Sequence, residues 1–120
     1  MSYHTIELTE VSNDRRYISH VMDDAEVPHE YVKRIIGDHM IDIVRIADGI
    51  LMIVRDDGLI DGVSRYNSLA SLIYGDSIFG PAILCTEGIV NGEPDIMSLT
   101  TEQWHHCIVD LLPPGDAWAI

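Results

Sequence analysis

Between Tyr3 and Val11 the chain alternates, with Ile6, Leu8 and His4 on one side and Thr5, Glu7 and Thr9 on the other. A period of two marks a half-buried β-strand. Ser12-Asn13-Asp14 supplies turn chemistry, and residues 16–22 return as a second strand before Asp23-Asp24. The period then changes. Pro28 suits a first helical position, Glu30 favours the positive end of a helix dipole, and Tyr31, Val32, Ile35 and Ile36 recur at helical spacing before Gly37. This predicts a helix over 28–36, with Lys33 and Arg34 in its last turn.

The clearest pattern follows. Three β-branched runs, 41–46, 50–55 and 59–63, are separated by Ala47-Asp48-Gly49 and Asp56-Asp57-Gly58. Asp-Gly pairs tolerate the backbone of tight reversals, so three sequential antiparallel strands, a β-meander, are expected. The middle run is apolar on both faces and belongs inside the sheet. Asn67 then offers an N-cap for a short helix closing at Gly75, with Leu69, Leu72 and Ile73 on one face. Residues 78–85 read as a strand whose Gly80-Pro81 step implies an edge or a bulge, and a turn-rich stretch runs on to Pro94. Thr100 or Thr101 caps a last helix, with Glu102 and Gln103 in its first turn, Trp104, Ile108, Leu111 and Leu112 on one face, and Pro113-Pro114 as its stop. The apolar tail, 113–120, ends in Ala117-Trp118-Ala119-Ile120 and is expected to pack back on the domain. The resulting fold class is α+β: an antiparallel meander sheet with two or three short helices, in a single domain over 1–120.

The bulk composition agrees. At 120 residues with 47% hydrophobic and 22% charged residues, one core is affordable and disorder is excluded. No apolar run reaches the roughly 20 residues of a membrane span, and Met1-Ser2-Tyr3-His4 has no export signature, so a cytoplasmic protein is expected. Cys85 and Cys107 sit among apolar neighbours and read as free thiols. Net charge is −13, and after Arg65 there are seven acids but no Lys or Arg. That field repels phosphate backbones, which argues against direct nucleic acid binding; the acids serve either plain solubility or a cationic partner surface.

The candidate chemistry is sparse. Six histidines show none of the paired spacings of a zinc site; His39 with Asp42 and His20 with Asp23 are the nearest approach, and no metal or cofactor is expected. Nucleophile elbows and Gly-rich phosphate loops are missing. One junction concentrates recognition groups: Ser64, Arg65, Tyr66, Asn67 and Ser68, where a strand meets a helix. Arginine makes bidentate contacts to phosphate or carboxylate, and tyrosine stacks on a base. Against that reading, Asn67 also serves as a plain cap and Tyr66 as a packing residue.

Ile35-Ile36-Gly37-Asp38, Ile41-Asp42-Ile43-Val44, Asp56-Asp57-Gly58-Leu59, Tyr66-Asn67-Ser68-Leu69-Ala70 and Ile78-Phe79-Gly80-Pro81-Ala82 together carry a resemblance. From Tyr31 to about Cys85 the chain resembles an uncharacterised family of small bacteriophage and mobile-element proteins. It departs from the family pattern at Asp38, where a second Gly is usual, and at Arg65-Tyr66-Asn67, where the usual order is Asn-Arg. The resemblance implies a non-enzymatic binder acting in counter-defence, which sequesters a small anionic ligand such as a nucleotide signal or occludes a cationic host protein. Sequestration implies a homo-oligomer with a site between subunits. Two other readings stand beside it: an acidic DNA mimic acting against restriction, and a small hydrolase of a nucleotide signal.

Overall fold

The computed structural model describes residues 3–11, 14–37, 41–56, 66–112 and 117–119. Strand β1 (Tyr3–Val11) and strand β2 (Asp14–Met22) pair antiparallel along their whole length, Tyr3 opposite Met22 and Val11 opposite Asp14. Helix α1 (His29–Ile36) follows, then β3 (Ile41–Ala47), β4 (Ile50–Arg55), helix α2 (Ser68–Tyr74), β5 (Ala82–Val90), β6 (Glu93–Met97) and β7 (Leu99–Thr100). Helix α3 (Thr101–His106) runs on as a π-helical turn, Cys107–Leu111, and β8 (Ala117–Ala119) comes last. The sheet order is β3-β4-β5-β1-β2-β8, with β6 on β5 and β7 on β1; β8 joins β2 in parallel and the other pairings are antiparallel. The α+β class read from the sequence is the class observed.

Register explains the layers. Met52 lies opposite Leu84, and Leu51 and Ile53 lie opposite Cys85 and Ile83. The first pair joins Ile6, Leu8, Leu69, Ala70 and Cys107 in a core beneath α2 and α3. The second set joins Tyr31, Val32 and Ile36 in a core beneath α1. Helices thus cover both faces of the sheet, so every residue from Ile50 to Val54 is buried. Each such aliphatic side chain contributes about 1.5–3 kcal/mol.

The meander needs correcting. Strands β3 and β4 form the expected hairpin, with Gly49 in the left-handed region at φ 76° and a register shift between Arg45 and Ala47. The second edge of β4 is taken by β5, whereas the expected third strand, 59–63, lies outside the described residues. The strand expected over 78–85 begins instead at Ala82 and extends to Val90, and Phe79 makes only an isolated bridge to Tyr66. The stretch read as turn-rich is a hairpin. Asn91 and Gly92 adopt φ values of 52° and 82°, a pair of left-handed residues that returns the chain tightly into β6.

Capping ties the last helix to the far hairpin. Thr100 accepts from Gln103 N at 3.2 Å while Gln103 Oε1 accepts from Thr100 N at 2.9 Å, a capping box. Gln103 Nε2 then donates to Thr86 Oγ1 at 3.2 Å, and Thr86 Oγ1 donates to the Gly49 carbonyl at 2.5 Å. Beside this box, Trp104 Nε1 donates to Ser19 Oγ at 2.6 Å and its ring stacks on buried His4, centroids 4.7 Å apart. His4 Nδ1 has no hydrogen-bond partner among the described residues.

Burial holds the His4 pKa below its ordinary 6.5. The folded chain therefore prefers neutral imidazole, and the unfolded chain binds more protons once pH falls below 6.5. Stability from this group is complete above that value and declines on acidification. Urea unfolding at pH 7.5 and 5.5 should show the loss, and His4→Leu should flatten that part of the slope; an unchanged slope in the variant refutes the assignment.

Candidate functional site

The junction singled out in the sequence divides in two. Ser64 and Arg65 lie outside the described residues; Tyr66, Asn67 and Ser68 stand at the start of α2. Asn67 is the N-cap, its Oδ1 accepting from Ala70 N at 3.0 Å. Its Nδ2 donates to the Leu8 carbonyl at 3.0 Å and to the Gly80 carbonyl at 2.9 Å. With the side chain 2% exposed, both donors and the acceptor are engaged inside the fold. Asn67 is therefore the scaffold of the junction and turns no polar group outward.

Tyr66 does face solvent. It is 47% exposed and meets the Phe79 ring edge-on, centroids 5.5 Å apart. Together with Ser68, Ser71, Leu72, Gly75, Asp76 and Ser77 it lines an open groove of about 470 Å³ along α2. Ser71 Oγ is committed elsewhere, donating to the Asn67 carbonyl at 2.7 Å and accepting from Ile78 N at 2.8 Å. Gly75 closes the helix in the left-handed conformation, φ 91°, and so swings Asp76 and Ser77 to the end of the groove. The described lining offers an aromatic face, hydroxyls and the Asp76 carboxylate. Groups of that kind bind sugar hydroxyls, amines and planar rings.

A second polar cluster lies on the opposite face, and the sequence reading missed it. The β1–β2 register sets Thr5 opposite His20 and places Glu7 on the diagonal, with His20 Nε2 3.2 Å from Glu7 Oε2. The His20 ring meets Tyr31 edge-on at 5.7 Å, Thr5 Oγ1 donates to Tyr31 Oη at 3.0 Å, and the Arg34 guanidinium sits 5.5 Å above the Tyr31 ring. Burial pushes the Tyr31 pKa up to about 12, so its phenol stays protonated at neutral pH. The signal was present as the polar half of the β1 alternation, but only the hairpin register reveals which residue of β2 it meets. His20 thus faces Glu7 rather than Asp23.

His106 Nδ1 lies 2.7 Å from Asp110 Oδ2 one turn away, both exposed. His39, paired with Asp42 in the sequence reading, lies outside the described residues. Among the described residues, no three His, Cys, Asp or Glu side chains converge as metal ligands would. Cys85 and Cys107 are free and fully buried in different cores, and burial raises each thiol pKa to about 12. Neither supplies a thiolate nucleophile at pH 7.

The class of protein that emerges is an α+β domain with helices on both faces of its sheet and an open groove beside a short, rigidly capped helix. The chain belongs to the family described as Domain of unknown function (DUF3846), whose pattern matches residues 7–111. No curated protein and no solved structure matches it. No helix among the described residues is long and apolar enough to cross a membrane.

Two outcomes test this geometry. Asn67→Ala removes a cap and strands two carbonyls, and should cost about 3 kcal/mol in urea unfolding; Asn67→Asp keeps the cap but not the donors and should be no better. Both thiols should resist a disulfide reagent in the native protein and react on unfolding, and rapid native labelling contradicts their burial.

Proposed function

We propose that the protein is a binding protein that sequesters a small nucleotide-like ligand in the groove along α2. The observation that supports this is the groove itself: its volume of about 470 Å³ falls within the range of small-molecule sites. Its exposed aromatic ring stands on a scaffold where Asn67 donates two hydrogen bonds and accepts a third. Tyr66 provides a stacking face for a base, while Asp76 and the Ser68 and Ser77 hydroxyls suit ribose hydroxyls or an exocyclic amine. Arg65, the chain neighbour of Tyr66, is the cation assigned to the phosphate.

In the phage or mobile-element setting that the family resemblance implies, withholding such a signal from a host is counter-defence. A second reading draws support from Leu72 and Tyr74, which are 60% and 40% exposed on the same helix. Aromatic and aliphatic anchors of this kind serve an interface that occludes a host protein.

A thermal-shift panel of cyclic di- and trinucleotides and ADP-ribose derivatives separates these readings. A ligand at 100 times its Kd adds about 2.7 kcal/mol, roughly 10 °C for a domain of this size. Tyr66→Ala should abolish the shift while leaving the unliganded melting temperature within about 1–2 °C, as expected of an exposed side chain. If no compound in the panel shifts the transition, sequestration is wrong. A host protein retained by the wild type and lost with Leu72→Asp then favours occlusion.

A further inference from the structure

Strand β3 is the terminal strand of the described sheet, and it presents two chemically different rows. Ile41 and Ile43 are 38% and 41% exposed on the α1 face, where Arg45 is already bound to Glu87 at 2.9 Å. Asp42 is exposed on the other face, beside half-buried Val44 and Ile46. A cavity flanks the start of the strand on each face. On the α1 side, about 210 Å³ opens between Val27, Val32, Ile41 and Ile96, with His29, Lys33 and Asp95 at its rim. On the α2 side, about 150 Å³ opens between Asp42, Asp56, Val44, Val54, Tyr74 and Phe79, with Arg55 also lining it.

We infer that the outer edge of β3 accepts an extended segment of a partner protein in which aliphatic residues alternate with Lys or Arg. A strand added to a sheet edge gains main-chain hydrogen bonds, and its alternate side chains fall on opposite faces. One row then covers Ile41 and Ile43 and reaches the apolar cavity; the other meets Asp42 and the cavity it shares with Asp56. Charge selects this occupant over a second copy of the chain, because two molecules of net charge −13 repel each other whereas a basic segment is attracted. The α2-side cavity meets the α2 groove at Ser77, but Ile41 and Ile43 lie on the other face of the sheet, and the inference stands whether or not that groove binds a nucleotide.

The probe is an acetylated, amidated heptapeptide, Val-Lys-Val-Lys-Val-Lys-Val, titrated into isotopically labelled full-length protein. Controls are a peptide of identical composition with its lysines in one block and a peptide with Glu replacing Lys. Amide shifts centred on Ile41–Ala47, with at least tenfold slower hydrogen exchange there and binding weakened by salt, are expected for the alternating basic peptide alone. Ile43→Lys should weaken it at least tenfold, and Asp42→Lys should transfer the preference to the Glu peptide, with the amide spectrum of each variant reporting an intact fold. Equal binding of the block peptide, or shifts centred on other elements, overturns the inference. So does β3 protection that rises with protein concentration in the absence of peptide, which identifies a second copy as the occupant.

Discussion

One carboxamide holds the architecture together. Asn67 caps α2, donates to the Leu8 carbonyl of β1 and donates again to the Gly80 carbonyl just ahead of β5. Leu8 is 59 residues from Asn67 and Gly80 is 13, and among buried side chains only an amide offers two donors and an acceptor in one rigid plane. Serine or aspartate would cap the helix equally well, but neither could supply both donors. Because β1 and β5 are neighbours in the middle of the sheet, this contact fixes where α2 crosses the sheet, and so where Tyr66, Ser68 and the groove come to lie.

The same placement makes the fold three-layered. With α2 and α3 on one face and α1 on the other, Ile50–Val54 of β4 and Ala82–Thr86 of β5 have no solvent side, and a continuous apolar run such as Ile50–Val54 becomes stable as a strand. Coverage thins toward β3, which retains Asp42 and Arg45 and leaves Ile41 and Ile43 exposed. Charged residues and a register shift are devices that blunt a sheet edge against indiscriminate pairing. An edge guarded in that way can still admit a segment whose charges answer its own.

Most of the elements were legible because their signals are local. Alternation in β1, the cap and glycine stop of α2, Asp48-Gly49 between β3 and β4, and Thr100 ahead of α3 each act over a few residues. What was not legible depends on pairing at a distance. Adjacency in sequence predicts 59–63 as the strand beside β4, yet β5 fills that edge from about 30 residues on. Asn91-Gly92 is as strong a hairpin signal as Asp48-Gly49, and Pro94 is tolerated in β6 as its second residue, exposed and opposite Ile89. The junction's position was legible, whereas the inward turn of Asn67 was not, since its two carbonyl partners are contributed by segments that no sequence spacing connects to it.

Electrostatics also sets how a ligand would lie in the groove. Asp76 stands at the C-terminal end of α2, where the helix dipole is negative as well, so a phosphate there meets two unfavourable fields. A neutral, hydroxyl-rich or amine-bearing group is favoured at that end. A simple anion gains little at that end, because both fields repel it. If the groove holds a nucleotide, as proposed, its base or sugar rather than its phosphate lies at the Asp76 end.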